Sequence, residues 1–399
     1  MNSIITDPKL IDEVLTRGVA EVIELENLRK RMLAGEKLRI KLGIDPTSPN
    51  IHIGRSIPLL KLRDFQDLGH EVVFIIGDET GKIGDTSDKE SERPMLTQEQ
   101  IAENMKTYLN QAFLILDKEK TETHYNSEWL SQLGLMELAK IANLFSLREF
   151  SSREVISRRL DIGQRVSFTE MMYPIFQGYD SVAIKADVEL GGTDQRFNLL
   201  AGRHIQPMYN QQPQDILMIN LIMGTDGRKM SSSWGNTINL TDSPNDMFGK
   251  AMGVPDELII SYLVHCTRIP EEGIASIQSD IDKGDNPRDA KIFLAKALVA
   301  MYHSEEAANV AEKYFINTFS KGEIPENVEE LTVEVGAALV DILVEAGLST
   351  SKSDARRKIE QGGVSIDGEK IVDINTTFTQ EYSGKILKVG KKDFRKIVF

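Results

Sequence analysis

The spacing of apolar residues predicts alternating strands and helices from residue 38 onward. Apolar side chains occupy alternate positions from Leu38 to Ile44, as in a strand, and residues 72–76 are continuously apolar, as in a buried strand. Between them, residues 54–68 place apolar side chains at helical spacing, which Gly69 and His70 end. The pattern therefore predicts a βαβ unit.

Similar patterns cover the rest of the chain. Residues 1–34 and 98–180 are predicted to be mainly helical, and strand-like stretches follow at 181–190 and 216–222. These alternating elements predict an α/β fold with a doubly wound parallel sheet.

The C-terminal third is predicted to differ from this α/β region. It is helical from residue 236 to about 318, and the polar segment 321–327 is predicted to link a separate C-terminal unit.

Composition excludes several classes of protein. The 399 residues are 41% hydrophobic and 27% charged, which is typical of a globular protein of two or three domains. No apolar run approaches the roughly 20 residues that span a bilayer, and the N-terminus lacks a basic region followed by an apolar one, so we expect a cytoplasmic protein without membrane contact. The single cysteine, Cys266, excludes an intramolecular disulfide and a Cys-rich zinc site.

Charge is distributed unevenly. The net charge of −14 argues against nonspecific nucleic-acid binding by the whole molecule. Residues 341–399, however, contain 11 basic and 9 acidic side chains. Any contact with RNA is therefore expected to be local and to involve this C-terminal segment.

Two short segments suggest nucleotide chemistry. His52-Ile53-Gly54-Arg55 lies where the first strand leads into a helix, and the free N–H groups of a helix N-terminus bind phosphate. A simple capped helix start is the alternative. Lys229-Met230-Ser231-Ser232-Ser233 places a lysine among hydroxyls, a combination suited to the charge on a leaving pyrophosphate. A solvated Ser-rich loop is the alternative.

Together, these segments resemble the HIGH and KMSKS signatures of class I aminoacyl-tRNA synthetases, in the expected order. Arg55 replaces the second histidine of the first signature, and Ser232 replaces the second lysine of the other. Further segments resemble tyrosyl-tRNA synthetases, so that nearly the whole chain is covered; they lie at residues 41–47, 84–85, 177–180 and 191–195.

The resemblance implies a Rossmann-like class I core, a helical domain and a small C-terminal α+β domain similar to the S4 RNA-binding fold. Residues 1–225 would form the catalytic domain, with a helical dimerisation insertion at about 98–180. Residues 226–325 would carry the KMSKS loop and the helical domain, and residues 335–399 the S4-like domain. A homodimer is expected.

The resemblance also implies catalytic and ATP-binding residues. Thr47 and His52 would bond the γ-phosphate while Mg²⁺ shares its charge, and Lys229 and Arg55 complete the catalytic set; no resident metal site is predicted. The ATP-binding residues would be Gly43, Asp45, Gly54, Gly192, Asp194, Lys229, Met230 and Ser231. Lys89 and Arg93 belong either to a loop near the pyrophosphate or to a surface charge run.

Tyr173, Gln177 and Asp180 have the spacing of one helix face, and buried polar side chains need partners. By resemblance, Tyr173, Gln177 and Asp85 would hold the tyrosine ammonium, Asp180 would bond the phenol, and Gln195 would lie near the carboxylate. A network satisfied within the protein is the alternative. Lys41 stands where some family members have a tyrosine.

A basic helix is predicted in the S4-like segment. Ser353 or Asp354 would cap it, and its cations would face the phosphates of tRNA(Tyr), although a solvated basic helix would look the same. The candidate tRNA-binding residues are Lys352, Arg356, Arg357 and Lys358.

The resulting hypothesis is a tyrosine–tRNA ligase that uses ATP and L-tyrosine to form tyrosyl-adenylate and then charges tRNA(Tyr). One alternative is a duplicated synthetase that acts on a tyrosine analogue or has weakened activity. The other is an S4-type RNA-binding protein with an inactive synthetase core.

Overall fold

The protein consists of two compact units, Met1–His303 and Ser304–Phe399, which are described separately. The computed structural model describes residues 4–85, 95–320, 328–390 and 393–399. Lys89, Arg93 and the predicted linker 321–327 lie outside the described residues.

A six-stranded sheet forms the centre of the first unit. Its spatial order is β1-β6-β5-β2-β3-β4, and all neighbours are parallel except β1 and β6. The strands are β1 Val19–Ile23, β2 Arg39–Ile44, β3 Glu71–Ile76, β4 Thr121–Tyr125, β5 Val188–Gly192 and β6 Asp215–Ile219.

Sixteen α-helices accompany this sheet in the described part of the first unit. They are α1 Pro8–Thr16, α2 Leu25–Leu33, α3 Ile53–Asp67, α4 Thr80–Ile83, α5 Gln98–Met105, α6 Tyr108–Ala112, α7 Ser127–Leu130, α8 Leu135–Ala142, α9 Leu147–Ser151, α10 Glu154–Asp161, α11 Phe168–Ile184, α12 Arg196–Ile205, α13 Pro244–Met252, α14 Ile259–Cys266, α15 Glu271–Asp282 and α16 Pro287–Tyr302.

The strand order reverses between β2 and β5. From β2 the chain proceeds to β3 and β4 on one side, and then returns to β5 and β6 on the other. In open α/β sheets, ligands bind beyond the carboxyl ends of the strands at such a reversal. The ends of β2 at Ile44 and of β5 at Gly192 therefore mark the place to look for a site.

The predicted βαβ unit and doubly wound sheet are confirmed, but three local predictions for the first unit were wrong. Residues 181–190 are not one strand: α11 continues to Ile184, and β5 begins at Val188. The last residue of the helix, Ile184, is buried in a cluster with Val73 and Ile75 of β3, which favours continuation of the helix to that point.

Two edge strands were also missed. β1 interrupts the N-terminal region that was predicted to be helical, and β4 lies within the predicted helical region 98–180. Both lie at the edges of the sheet and are partly exposed, so their polar sequences lack the continuous apolar character of a buried strand.

The second unit is a small α+β structure, as predicted. Its five strands have the order β7-β11-β10-β8-β9 and form a core with its helices. The elements are α17 Glu305–Phe315, β7 Glu330–Thr332, α18 Leu339–Glu345, α19 Lys352–Glu360, β8 Val364–Ile366, β9 Glu369–Ile371, β10 Ile386–Val389 and β11 Asp393–Val398.

The basic helix begins two or three residues earlier than predicted. Ser351, rather than Ser353 or Asp354, caps α19, and its hydroxyl accepts the N–H of Asp354 at 3.2 Å. Ser351 takes the extended backbone conformation of an N-cap, whereas Ser353 and Asp354 already lie inside the helix. Across the described parts of both units, the helices are too short or too polar to cross a membrane.

Candidate active site

A cavity of about 600 Å³ lies at the strand reversal. It is bordered by the ends of β2 and β5, the start of α3, one face of α11 and the segment around Lys229. Every predicted catalytic, ATP-binding and tyrosine-binding residue except Asp180 lines it: Gly43, Asp45, Thr47, His52, Gly54, Arg55, Asp85, Tyr173, Gln177, Gly192, Asp194, Gln195, Lys229, Met230 and Ser231.

His52 is the N-cap of α3 and is held as a neutral imidazole. Its Nδ1 accepts the N–H of Arg55 at 3.3 Å. Burial, with the nearby Arg55 charge, lowers the pKa of His52 to about 3. A neutral ring that accepts at Nδ1 carries its proton at Nε2. At neutral pH, His52 is therefore a hydrogen-bond donor at Nε2. It caps α3 and also lines the cavity, so the capped helix start and the predicted phosphate contact are compatible.

Arg55 supplies the positive charge beside this imidazole. One guanidinium nitrogen donates to Thr47 Oγ1 at 2.9 Å, and the other is 3.3 Å from Ser48 Oγ. The two arms of the guanidinium thus reach the loop that follows β2. Arg55, which stands in place of a histidine, holds its charge next to the hydroxyl predicted to contact phosphate.

Backbone pairing connects the two signature loops. The N–H of Ile53 donates to the carbonyl of Ile238 at 2.8 Å, and the N–H of Leu240 donates to that of Ile51 at 2.9 Å. Gly54 leaves little room at this junction, because a Cβ there would lie 3.0 Å from Met230 Sδ, so that the Met230 side chain would have to shift. The two distant segments therefore form one continuous wall.

Asn236 fixes the loop that carries Lys229. Its buried side chain accepts the N–H of Ser231 at 2.8 Å and donates to Asp226 at 2.7 Å and to the carbonyl of Lys229 at 3.1 Å. The Lys229 ammonium lies 3.9 Å from Asp194, which also lines the cavity. Asn236 was not predicted as part of the site, although it follows the signature directly.

Carboxylates surround the part of the cavity assigned to the amino acid. Asp45 accepts the hydroxyls of Tyr173 at 2.8 Å and Thr80 at 2.7 Å. Asp85 accepts the amide of Gln195 at 2.5 Å. Burial, followed by the nearby carboxylates, raises the pKa of Tyr173 well above its usual value, so this residue is a neutral donor.

Asp180 lies behind the cavity and is not part of its described lining. Its carboxylate accepts Trp129 Nε1 at 2.8 Å and Asn126 Nδ2 at 3.3 Å. Burial raises the pKa of Asp180 to about 7, against the opposing effect of Lys41 and these two donors. Neither Trp129 nor Asn126 was predicted as part of the site. They lie 51 and 54 residues from Asp180 in the sequence, and no local pattern indicates such distant contacts.

In the second unit, three predicted tRNA-binding cations pair with acidic neighbours. Lys352 lies 2.8 Å from Asp341, while Arg357 and Lys358 lie 2.6 Å and 2.9 Å from Asp354. Arg356 is exposed on the same helix. The predicted interface therefore carries less free charge than its sequence suggests.

Comparison with known families agrees with this geometry. The family described as tRNA synthetases class I (W and Y) matches residues 33–320, and the tyrosine–tRNA ligase SYY-like C-terminal domain matches residues 321–397. The chain belongs to the tyrosyl-tRNA synthetase family. The predicted family, fold and class of enzyme, an aminoacyl-tRNA ligase, are confirmed.

Relatives resemble this synthetase over almost its whole length. The tyrosine–tRNA ligase of Thermotoga maritima is 46% identical over 388 residues, which cover 96% of each chain. Tyrosine–tRNA ligase 2 of Vibrio cholerae is 45% identical over 384 residues, which cover 96% of this chain and 97% of the relative.

Solved structures give the same assignment of fold. Tyrosyl-tRNA synthetase from Archaeoglobus fulgidus, complexed with L-tyrosine, is 25% identical with a TM-score of 0.62, over 77% of this chain and all of the other (100%). A C-terminally truncated mitochondrial tyrosyl-tRNA synthetase from Aspergillus nidulans is 20% identical with a TM-score of 0.65, over 78% and 94% of the two chains.

Proposed function

We propose that this synthetase activates L-tyrosine with ATP in the cavity at the strand reversal and then transfers the tyrosyl group to tRNA(Tyr). The observation that carries the proposal is that residues of both signature segments and every predicted tyrosine-binding residue except Asp180 line that one cavity. In the first step the tyrosine carboxylate attacks the α-phosphate of ATP, tyrosyl-adenylate forms, and pyrophosphate leaves.

Catalysis in this proposal depends on positioning and charge. Arg55 and Lys229 both line the cavity. In the proposal they stabilise the negative charge that grows on the departing pyrophosphate, while Thr47 and neutral His52 donate hydrogen bonds to it. Mg²⁺ enters with ATP as its counter-ion and is part of the substrate.

The amino acid is proposed to occupy the other end of the cavity. Its ammonium contacts Tyr173, Gln177 and Asp85, and its ring extends toward Asp180, which bonds the phenol. Gln195 lies near the carboxylate, and Gly43, Gly54, Gly192 and Asp194 contact the nucleotide. The solved tyrosine complex of the Archaeoglobus fulgidus relative supports this choice of amino acid.

The second step is proposed to involve the C-terminal unit, where the exposed face of α19 contacts tRNA phosphates. Basic side chains on one helix face hold a nucleic acid in register without reading its sequence. Arg356 is the strongest candidate because it is exposed, whereas Lys352, Arg357 and Lys358 each pair with a carboxylate. The homodimer and the cytoplasmic location stay predictions.

Amino-acid-dependent exchange of pyrophosphate into ATP tests the first step. We expect exchange with tyrosine and at most a trace with phenylalanine, tryptophan or no amino acid. Lys229→Ala, which leaves the cavity walls intact, is expected to lower the rate by about 10²-fold or more. Exchange that prefers a tyrosine analogue would favour the duplicated-synthetase alternative, and no exchange at all would contradict the proposal.

A further inference from the structure

Lys41 and Glu189 form a buried ion pair behind the cavity. The Lys41 ammonium lies 2.8 Å from Glu189 Oε1, and the two side chains are 0% and 1% exposed. They are direct neighbours on β2 and β5, where the registered pairs are Ile40 with Val188 and Lys41 with Glu189. Two residues further along each strand, and therefore on the same face of the sheet, Gly43 and Gly191 line the cavity. The ion pair therefore lies immediately beneath the cavity floor.

The pair also binds helix α11. Lys41 donates to the carbonyl of Gln177 and to Ser181 Oγ, both at 2.8 Å. An ammonium group has three donors, so these two contacts and Glu189 use all of them. Glu189 in turn accepts Gln177 Nε2 at 3.1 Å, Ser181 Oγ at 3.1 Å and Gln214 Nε2 at 2.5 Å. Both the backbone and the side chain of Gln177 are thus held by this pair.

The carboxylate of Glu189 determines which way the Gln177 amide points. A carboxylate accepts hydrogen bonds and cannot donate them, so it must face the NH₂ end of the amide. The carbonyl end of Gln177 is then the end that can accept a hydrogen bond from a substrate. Because Gln177 lines the cavity, the ion pair presents an acceptor there, which is the polarity that an ammonium group requires.

Stability alone does not account for these two charges. Replacing a buried ion pair with apolar residues of similar volume is often neutral or stabilising. Lys41 and Glu189 do not line the cavity, so they are positioning residues rather than catalytic ones. Their contacts bracket Asp180 on α11, with Gln177 before it and Ser181 after it.

We infer that the Lys41–Glu189 pair positions Gln177 and the turn of α11 that carries Asp180, and thereby sets the affinity and specificity of this synthetase for tyrosine. The inference deepens the proposed function and rests on the roles given there to Gln177 and Asp180.

The test compares Lys41→Met, Glu189→Met and the variant with both changes. Each single change leaves one buried charge unpaired, so the melting temperature is expected to fall and then to recover in the double variant. The KM for tyrosine is expected to rise by about tenfold or more in all three, as for a lost hydrogen bond to a charged group, while the KM for ATP stays within about twofold. The preference for tyrosine over phenylalanine should fall as well.

A merely structural pair gives a different result. In that case the KM for tyrosine recovers together with the melting temperature in the double variant, and the inference is overturned. Lys61→Met is the matched control, because Lys61 is a buried lysine on α3 that donates to the carbonyl of Val14 at 2.8 Å. It is expected to lower the melting temperature and leave the KM for tyrosine unchanged.

Calorimetric titration with L-tyrosine separates this inference from the proposed function. If the unmodified protein binds tyrosine without catalysing exchange, the proposed function fails, but weaker binding by the double variant still supports the inference. If the unmodified protein binds no tyrosine, both fail. Should the double variant not fold, Ser181→Ala decides, since it removes a shared partner without removing a charge: a raised Kd supports the inference, and an unchanged Kd overturns it.

Discussion

At the scale of single residues, the cavity is lined by both a neutral hydrogen-bond donor, His52, and a cation, Arg55. Burial, together with the nearby Arg55 charge, keeps His52 neutral by lowering its pKa to about 3. The guanidinium of Arg55 donates to Thr47, and both residues line the same cavity as His52. With Arg55 in the place of a histidine, a positive group lies at the end of the cavity where phosphate is proposed to bind.

Arg55→Ala tests this arrangement. It removes the guanidinium beside Thr47, and the kcat of pyrophosphate exchange is expected to fall by about 10²-fold, as for loss of one preorganised donor, with little change in the KM for tyrosine. Ser48→Ala removes the partner at 3.3 Å and is expected to change kcat by no more than about threefold. A fully active Arg55→Ala variant would contradict a catalytic role.

The pH dependence of tyrosine binding tests Asp180. Because burial raises its pKa to about 7, the carboxyl group is mostly protonated at pH 6 and mostly ionised at pH 8. The ionised form accepts a stronger hydrogen bond from the phenol, so the KM for tyrosine should fall by roughly tenfold from pH 6 to pH 8.

This step in KM should vanish in Asp180→Asn, which has no titrating group at that position. Trp129 and Asn126 donate to Asp180, while the charges of Lys41 and Glu189 act on it in opposite senses. A KM for the unmodified protein that does not change across this pH range would show that Asp180 does not bind the phenol as a carboxylate.

At the scale of elements, the cavity depends on a loop that is fixed at both ends. Asn236 ties the loop together, and the pairing of 238–240 with 51–53 attaches its end to the start of α3. Gly224 permits this closeness, because a Cβ there would lie 2.4 Å from Asn236 Nδ2. The position of Lys229 therefore follows from its neighbours in the loop.

Asn236→Ala is expected to loosen that loop. Loss of the contacts to Ser231 and Lys229 should raise the KM for ATP and lower the kcat of exchange by about tenfold, while calorimetry shows an unchanged Kd for tyrosine. Asn27→Ala is the control, because Asn27 also donates to an aspartate, Asp215, at 3.1 Å but lies outside the cavity lining. Equal effects of the two changes would argue against a specific role for Asn236.

Sequence patterns predicted the buried elements better than the exposed ones. Strand β3 was recognisable because burial on both faces gives a continuous apolar run, whereas β2 was recognised by its alternating apolar residues and the helix between them by its helical spacing. The edge strands β1 and β4 were missed, since half-exposed polar strands lack it. The signatures located the cavity walls, but the partners of Asp180 and the ion pair of Lys41 depend on contacts between distant parts of the chain.

At the scale of the whole molecule, the first unit contains the complete cavity and the second contains the basic helix. Activation of tyrosine and binding of tRNA are therefore expected to respond to different substitutions. The net charge of −14 repels RNA from most of the protein surface, so RNA is expected to bind only at a local basic surface.

Arg356→Ala tests the predicted RNA surface. It is expected to raise the KM for tRNA, to reduce the salt dependence of tRNA binding by about one unit of slope, and to leave pyrophosphate exchange unchanged. Lys396→Ala serves as the control, because Lys396 belongs to the same unit but pairs with Glu330 at 3.4 Å. An identical KM for tRNA in the Arg356 variant would remove α19 from the proposed interface.

The most direct test of the central claim is the initial rate at which the purified protein attaches tyrosine to the 3′ end of tRNA(Tyr) with ATP. The account predicts charging that requires all three substrates, is lost in Lys229→Ala and does not occur with phenylalanine. Absence of charging by a folded protein that binds both tyrosine and tRNA would contradict it.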